Sequence, residues 1–169
     1  MGVLDDYILA LEDQIANSAR FQTEVGAANA TEAKDRIYWH KTLGAEDVPF
    51  ALIMPTADWQ GDQVALGLVL YPATSTVRFA IGIELDQVNS AGEIEDWKTV
   101  ASALADYAST VSREMQARGQ SQGLGIRTAT LAQEAQYEVI RERKLLKKQT
   151  KAVYAWQDVA FTSGVDVQS

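Results

Sequence analysis

The sequence predicts an α+β fold in which two main helices pack on a largely antiparallel β-sheet. Apolar residues recur at helical spacing in two segments, at about residues 3–18 and 93–118. Other segments alternate apolar side chains with small or polar ones, which is typical of strands with one buried face. The order is helix, strands, helix, strands, and no repeat or low-complexity linker divides residues 1–169, so we expect a single domain.

The first helix is predicted from Val3 to about Ser18. Its apolar face carries Leu4, Ile8, Leu11 and Ile15, and acids in its first turn favour the helix dipole. Residues 20–35 are rich in alanine and lack a period, which indicates a loop or a weak helix. Arg36–Leu43 is a candidate short strand. Val48–Met54 has a clearer strand pattern, with Pro49 at its entry and Pro55 at its end.

The centre of the chain predicts an antiparallel hairpin. Apolar residues alternate along Val64–Leu70 and again along Val77–Leu85. The residues between these runs, Pro72-Ala73-Thr74-Ser75, are typical of turns, so the two runs are expected to pair around them.

The second helix is predicted from about Glu93 to Arg118. Ser90 and Glu93 have the spacing of a capping box, and one apolar stripe follows from Trp97 to Met115. Gly119 stands where a C-terminal cap is expected. This predicts a helix long enough to cross a small sheet.

The last third of the chain has weaker patterns. Leu124–Ala135 fits a strand or a helix equally well, and Tyr137–Leu146 is apolar enough to pair but does not alternate cleanly. Ala152–Thr162 is rich in β-forming residues and is predicted to be a strand.

Composition excludes several classes of protein. The chain has 169 residues, 47% of them hydrophobic, no cysteine and a formal net charge of -8. Disulfide scaffolds and thiolate metal sites therefore do not apply, and the apolar content argues against intrinsic disorder. A protein that binds nucleic acid by neutralising phosphates needs the opposite charge. The acidic N-terminus and the short apolar runs predict neither a secretory signal nor a membrane span, which favours the cytoplasm.

Ser121 and His40 are the two residues to consider for chemistry. Ser121 is the central residue of Gly119-Gln120-Ser121-Gln122-Gly123, which matches the G-x-S-x-G pattern of a nucleophile elbow. That elbow requires a turn from a strand into a helix with the histidine later in the chain, whereas this segment follows a predicted helix and the only histidine, His40, lies upstream. A helix-to-strand turn is the favoured interpretation, and no catalytic, cofactor or metal site is expected.

One short segment departs from the acidic character of the chain. It contains six bases and one acid and carries +5, which leaves -13 on the rest; the bases are Arg141, Arg143, Lys144, Lys147, Lys148 and Lys151. The first interpretation is a solvated edge strand. The second is a surface for another subunit, because a basic patch on an acidic body favours head-to-tail contacts between copies. A nucleic-acid patch is the third and lacks interleaved aromatic residues.

Several segments together resemble one protein family. Val48–Pro55 resembles the family's first core strand, entered through a proline, and Val77–Leu85 resembles its central strand before the second helix. Tyr154–Thr162 resembles its terminal strand, in which Trp-Gln, an acid and a Phe followed by Thr recur; these are Trp156, Gln157, Asp158 and Phe161. In these segments and in the order of its elements, the chain is similar to the tail terminator, or tail completion, proteins of long-tailed bacteriophages.

The resemblance implies a structural virion protein without enzymatic activity or cofactor. Such a protein forms a homohexameric ring that caps the tail tube, stops its elongation and joins the tail to the neck or connector protein. The implied partners are other copies of the chain, the tail tube protein and the connector, with no membrane. DNA passes through the lumen without specific binding, so we expect an acidic or neutral lumen. The implied location is the head–tail junction of a virion assembled in the host cytoplasm.

The resemblance also frames the candidate residues and the alternatives. The basic residues between Arg141 and Lys151 are candidates for a subunit or partner interface, and the closing strand with Trp156, Gln157, Asp158 and Phe161 belongs to the core or to an interface. The alternatives are another head–tail joint or neck adaptor protein, or a small serine hydrolase that uses Ser121.

Overall fold

Two long antiparallel strands form the centre of the fold. The computed structural model describes residues 3–39, 43, 47–55, 62–65, 68–122, 125–131, 134–141 and 151–168. The helices are α1 (Val3–Ala16), α2 (Ala19–Val25), α3 (Ala30–Lys34) and α4 (Trp97–Gln122). The strands are β1 (Ile37–Trp39), β2 (Phe50–Pro55), β3 (Asp62–Ala65), β4 (Leu68–Ile83), β5 (Gly125–Leu131), β6 (Gln136–Arg141) and β7 (Lys151–Gln168). The predicted α+β fold is confirmed.

The strands of the described residues form one mixed sheet of seven strands with the order β1-β2-β4-β7-β5, in which β3 also pairs with β4 and β6 with β7. Only β1 and β2 are parallel among these pairs. β4 and β7 pair from Leu68 opposite Gln168 to Ile83 opposite Val153, over all 16 residues of β4. Because this ladder occupies one side of each strand, β2 and β3 share the other side of β4, and β5 and β6 share the other side of β7.

The helices pack on one face of this sheet and enclose the main core. Phe79 of β4 is fully buried there, with its ring edge-on to Phe21 of α2 at 6.5 Å and to Tyr107 of α4 at 5.6 Å between centroids. Leu11 and Ile15 of α1 are fully buried in the same core. Burial of large apolar side chains of this kind contributes about 1.5–3 kcal/mol each, so this layer holds the helices to the sheet.

The predicted first helix is interrupted near its end. α1 stops at Ala16, and Ser18 caps a separate helix, α2, by accepting a hydrogen bond from the Phe21 backbone N–H at 3.0 Å. Glu114 of α4 holds this junction, because its Oε2 accepts hydrogen bonds from Ser18 Oγ at 2.5 Å and from the Arg20 backbone N–H at 3.2 Å. Residues 20–35, which lack a clear period, contain the rest of α2 and the short α3.

The prediction of a central hairpin is wrong, because the residues of its predicted turn belong to a strand. Residues 72–75 continue β4 without a break, so the two alternating runs do not pair with each other there. β3 pairs with the start of β4, with Asp62 opposite Leu70, whereas β2 takes over from Ser75 onward. Pro72 lies between the stretch of β4 that pairs with β3 and the stretch that pairs with β2. Its missing N–H therefore removes no hydrogen bond to either strand.

The start and end of the second helix also differ from the prediction. α4 begins at Trp97, and Asn89 rather than Ser90 organises the turn before it, accepting at Oδ1 from the backbone N–H groups of Ala91 and Glu93 at 3.0 and 2.9 Å. The residues of the predicted capping box therefore belong to an Asx turn. At the other end the helix continues through Gly119 to Gln122.

Candidate interaction surfaces

The sheet face opposite the helices carries a cluster of charged and aromatic side chains. We call it the Arg78 cluster; its members are Arg78, Glu138, Tyr154, Trp156 and Asp158. Arg78 forms a two-pronged ion pair with Asp158, with Nε to Oδ1 at 2.9 Å and Nη2 to Oδ2 at 3.0 Å. The guanidinium carbon lies 4.7 Å from the centroid of the Trp156 ring. This geometry combines a bidentate ion pair with a cation–π contact.

The register of β4 and β7 explains why these residues meet. Arg78 stands directly opposite Asp158, while Ala80 and Gly82 stand opposite Trp156 and Tyr154. The small residues on β4 leave room for the two rings, which stack with centroids 5.0 Å apart and an interplanar angle of 27°. Alternation along the strands directs these residues away from the helices, because the residues that flank them on each strand belong to the main core; these are Val77, Phe79 and Ala155.

Glu138 and a small apolar cluster extend this surface across the sheet. Tyr154 donates a hydrogen bond from its hydroxyl to Glu138 Oε2 at 3.0 Å. Gly82 lies close beneath this layer, since a Cβ there would come within 3.2 Å of Val48 Cγ2. Toward β2, Tyr154 belongs to a second buried cluster with Phe50 and Ala80, against which five partly buried residues pack: Tyr38, Leu43, Val48, Leu52 and Trp156.

Electrostatics keep Arg78 and Tyr154 in one protonation state near neutral pH. The hydrogen bond to Asp158 raises the pKa of Arg78, against an opposing effect of burial. Burial, followed by the hydrogen bond to Glu138, raises the pKa of Tyr154. Both pKa values are raised further above neutral pH, so the arginine stays charged and the tyrosine stays protonated. The arrangement is suited to holding shape and charge rather than to transferring protons at pH 7.

The four residues singled out in the closing strand divide between the two faces of the sheet. Phe161 is fully buried in the main core and Gln157 is 2% exposed beneath α4, whereas Trp156 and Asp158 belong to the Arg78 cluster. Alternation predicts that neighbours on a strand separate in this way. The sequence could not show which pair faces the helices, because an aromatic residue is present in each.

A groove of about 520 Å³ lies between α4 and the connection from β5 to β6. Trp97, Ala101 and Ala105 are spaced by four residues and form one stripe of α4. Leu131 is 42% exposed, and the Trp97 ring contacts Tyr137 with centroids 4.7 Å apart. The described lining is mostly apolar and consists of Trp97, Ala101, Ala105, Leu131, Glu134, Ala135 and Gln157.

Sequence patterns predict only half of this groove. Trp97 and Ala101 lie in the apolar stripe of the second helix. The helical period identifies this apolar face, but it does not show which residues of the face are covered by a strand and which line a groove. The opposite wall comes from Leu131, Glu134 and Ala135, in a segment whose pattern fits a strand and a helix equally well.

Most of the basic segment lies outside the described residues. This applies to Arg143, Lys144, Lys147 and Lys148. Arg141 ends β6 and Lys151 begins β7, and the two are paired opposite each other in the ladder. The segment therefore connects two adjacent antiparallel strands.

The candidate nucleophile occupies a different setting from the one an elbow requires. Ser121 lies in the last turn of α4, so the predicted helix-to-strand turn at residues 119–122 is helical instead. Ser121 is thus the penultimate residue of a 26-residue helix, whereas a nucleophile elbow needs a sharp turn from strand to helix. His40 lies outside the described residues. Within the described ranges, no three histidine or carboxylate side chains form a group that could hold a metal ion.

None of the helices in the described part of the chain combines the length and the apolar character that crossing a membrane requires. Comparison with known proteins finds no protein-family model and no curated protein that matches this chain.

Proposed function

We propose that this protein is a tail terminator: a structural virion protein whose ring caps the tail tube, stops its elongation and joins the tail to the head-side connector. The proposal starts from the resemblance of three segments, Val48–Pro55, Val77–Leu85 and Tyr154–Thr162. The observation that carries it is their placement. They form or overlap β2, β4 and β7, which are neighbours in the sheet.

Adjacency of these segments supports the proposal because it makes them one structural unit. Phe79 of the second segment is paired with Gln157 of the third on one side and with Ala51 of the first on the other. Arg78 of the second segment is paired with Asp158 of the third. Three short likenesses that fell on unconnected parts of the fold would carry far less weight than three contiguous strands.

The surface also suits a subunit of a ring. Each subunit of a head-to-tail ring presents two different patches to its two neighbours. The chain has a basic segment of +5 on a body of -13, so its two charge regions are complementary between copies. Under this proposal the lumen is acidic or neutral, and DNA slides past it without adhering.

Tube capping is the decisive test. The tail tube protein from the same genome is polymerised with and without the purified protein, and tube lengths are measured by negative-stain electron microscopy. We expect shorter tubes with a ring at one end. Unchanged tube length contradicts capping, and unchanged length together with binding to the connector would reassign the protein to the neck adaptors.

A charge-reversal variant gives the test a matched control. Lys147→Glu with Lys148→Glu changes the basic segment, while Arg36→Glu with Arg113→Glu makes the same change in net charge at two exposed sites elsewhere. If the basic segment forms a subunit or partner interface, the first variant loses capping and the second retains it. Equal capping by both variants would remove the segment from the interface.

A further inference from the structure

One row of apolar residues crosses the sheet from edge to edge and is exposed at its two ends. We call it the apolar row; in order from β1 to β5 its members, each paired opposite the next, are Trp39, Ile53, Val77, Val159 and Leu131. The three inner residues are buried in the main core beneath the helices. Trp39 and Leu131 are 39% and 42% exposed. Because residues opposite each other share a face of the sheet, the row presents apolar surface at both edges, on the side that carries the helices.

The two ends of the apolar row differ in shape. Leu131 lines the groove between α4 and the β5–β6 connection, together with Trp97 and Ala101. Trp39 is the last residue of β1, the strand at the opposite end of the sheet order. Tryptophan is among the residues that most often anchor protein interfaces, and such anchors fill pockets on the partner. One end of the row is therefore suited to bind the other.

The two edges are also opposite in charge. Residues 34–41, which contain Trp39, carry +2 from three bases against one acid, although the whole chain carries -8. Residues 131–138, which supply one wall of the groove, carry -2 from two acids and no base. One of these acids, Glu134, is exposed in the groove lining. Opposite charge favours contact between one edge of a subunit and the other edge of the next.

The spacing of the strands separates Trp39 from the groove of its own subunit. β1 and β5 are the first and last of five strands in the sheet order, so the row spans four inter-strand spacings of about 4.8 Å, or about 19 Å. The three buried residues of the row fill this distance. A groove that accepts Trp39 therefore belongs to another copy.

We propose that Trp39 of one copy binds in the groove of a second copy, against Leu131, with Glu134 facing the basic chain around β1. Arg36, which lines a separate cavity with Tyr38, is not part of the contact. The two patches are different, so the contact is head-to-tail and repeats from copy to copy. Closure of the repeat into a tail cap rests on the proposed function, whereas the contact itself does not require a tail.

A charge placed at either end of the row tests the contact. Trp39→Asp and Leu131→Asp are compared with Leu9→Asp, the matched control, because Leu9 of α1 is the third large apolar side chain that is exposed among the described residues, at 44%. Self-association is measured by sedimentation velocity over a concentration series. We expect the first two variants to raise the dissociation constant by about tenfold or more, and the control to leave it unchanged. Equal effects of all three variants, or no self-association of the unsubstituted protein at its highest soluble concentration, overturn the proposal.

A mixture of the two variants distinguishes a head-to-tail contact from a symmetric one. Trp39→Asp keeps an intact groove and Leu131→Asp keeps an intact Trp39, so one contact forms between them and no second one. We expect one-to-one dimers in the mixture and nothing larger, at concentrations where each variant alone is monomeric. Absence of the mixed dimer contradicts the contact. Far-ultraviolet circular dichroism checks the fold, and Trp39→Gln with Leu131→Gln replaces any aspartate variant that does not fold.

These results are separable from the tube assay. Mixed dimers, together with unchanged tube length for the unsubstituted protein, leave the contact standing and remove the tail function. Tube capping without mixed dimers leaves the tail function standing and overturns the proposed contact.

Discussion

Breaking the ion pair between Arg78 and Asp158 is expected to destabilise the centre of the sheet. The pair joins β4 to β7 by two hydrogen bonds of 2.9 and 3.0 Å, with the guanidinium over the Trp156 ring. The side chains are 28% and 12% exposed, so neither is fully solvated and neither is fully desolvated. Its strength should therefore lie between that of a surface ion pair and that of a buried one.

The expected coupling free energy follows from these limits. Exposed ion pairs contribute about 0.2–1 kcal/mol, and removal of one partner from a buried pair costs about 3–5 kcal/mol. Bidentate geometry raises the value above the exposed limit, while residual hydration of Arg78 keeps it below the buried limit. We expect a coupling of about 1.5 kcal/mol, and a cost of about 2 kcal/mol for Asp158→Ala alone, which leaves the guanidinium without its partner.

A double-mutant cycle measures this coupling. Arg78→Met, Asp158→Ala and the double variant are unfolded in urea, and the free energies of unfolding are compared at low and high salt. Lys34 and Asp13 provide the matched control, because they form an ion pair at 3.2 Å with side chains 42% and 40% exposed. The control pair should give about 0.3 kcal/mol and lose it in salt. A coupling for Arg78 and Asp158 no larger than the control would refute the reasoning.

Three further predictions concern the helices. Burial raises the pKa of Tyr107 well above its ordinary value of 10.0, so its neutral form stabilises the fold below about pH 10 and that contribution is lost as the pH rises through the folded-state pKa. The Tyr107→Phe variant should therefore lose less stability than the unsubstituted protein between about pH 9 and pH 11, as measured by urea unfolding. An equal loss in the two proteins would argue against ionisation of Tyr107 as its cause. Glu114→Ala should lower the free energy of unfolding by about 2 kcal/mol and Glu114→Gln by about 1 kcal/mol, because glutamine keeps an acceptor oxygen at the start of α2; equal losses would contradict this. Gly26 ends α2 at φ +69, and no atom lies within 4 Å of the position that a Cβ would take. Gly26→Ala should therefore cost about 1 kcal/mol from the backbone alone and Gly26→Asn less, and equal thermal stability of the two variants would count against the left-handed cap.

Local patterns predicted the strands and helices that have one buried face. The stripe of α4 and the alternation around Phe79 both follow directly from periodicity, and both lie in the main core. The same patterns failed at residues 72–75, because turn propensity is a local preference whereas pairing with β7 acts along all 16 residues of β4. Pairing with β7 therefore outweighed the turn preference of Pro72 and its neighbours.

The interaction surfaces were less accessible to sequence analysis. Arg78 and Asp158 are 80 residues apart, and nothing in either local pattern indicates that they are opposite each other. Trp156 and Asp158 were identified only through the family-like closing strand. The groove depends on how β5 and β6 follow α4, and that arrangement is set by pairing with β7 rather than by local sequence.

The long ladder between β4 and β7 has a consequence for synthesis of the protein. Residues 68–83 pair with residues 153–168, so α4, β5 and β6 separate the two central strands along the chain. During translation β4 leaves the ribosome long before its partner exists. The pairing of the two central strands, β4 and β7, is then the last step in forming the sheet. This order predicts slow, late folding, which is typical of high contact order. Until that moment the edge of β4 that faces β7 is open, and a nascent chain of this protein is most vulnerable to wrong pairing there.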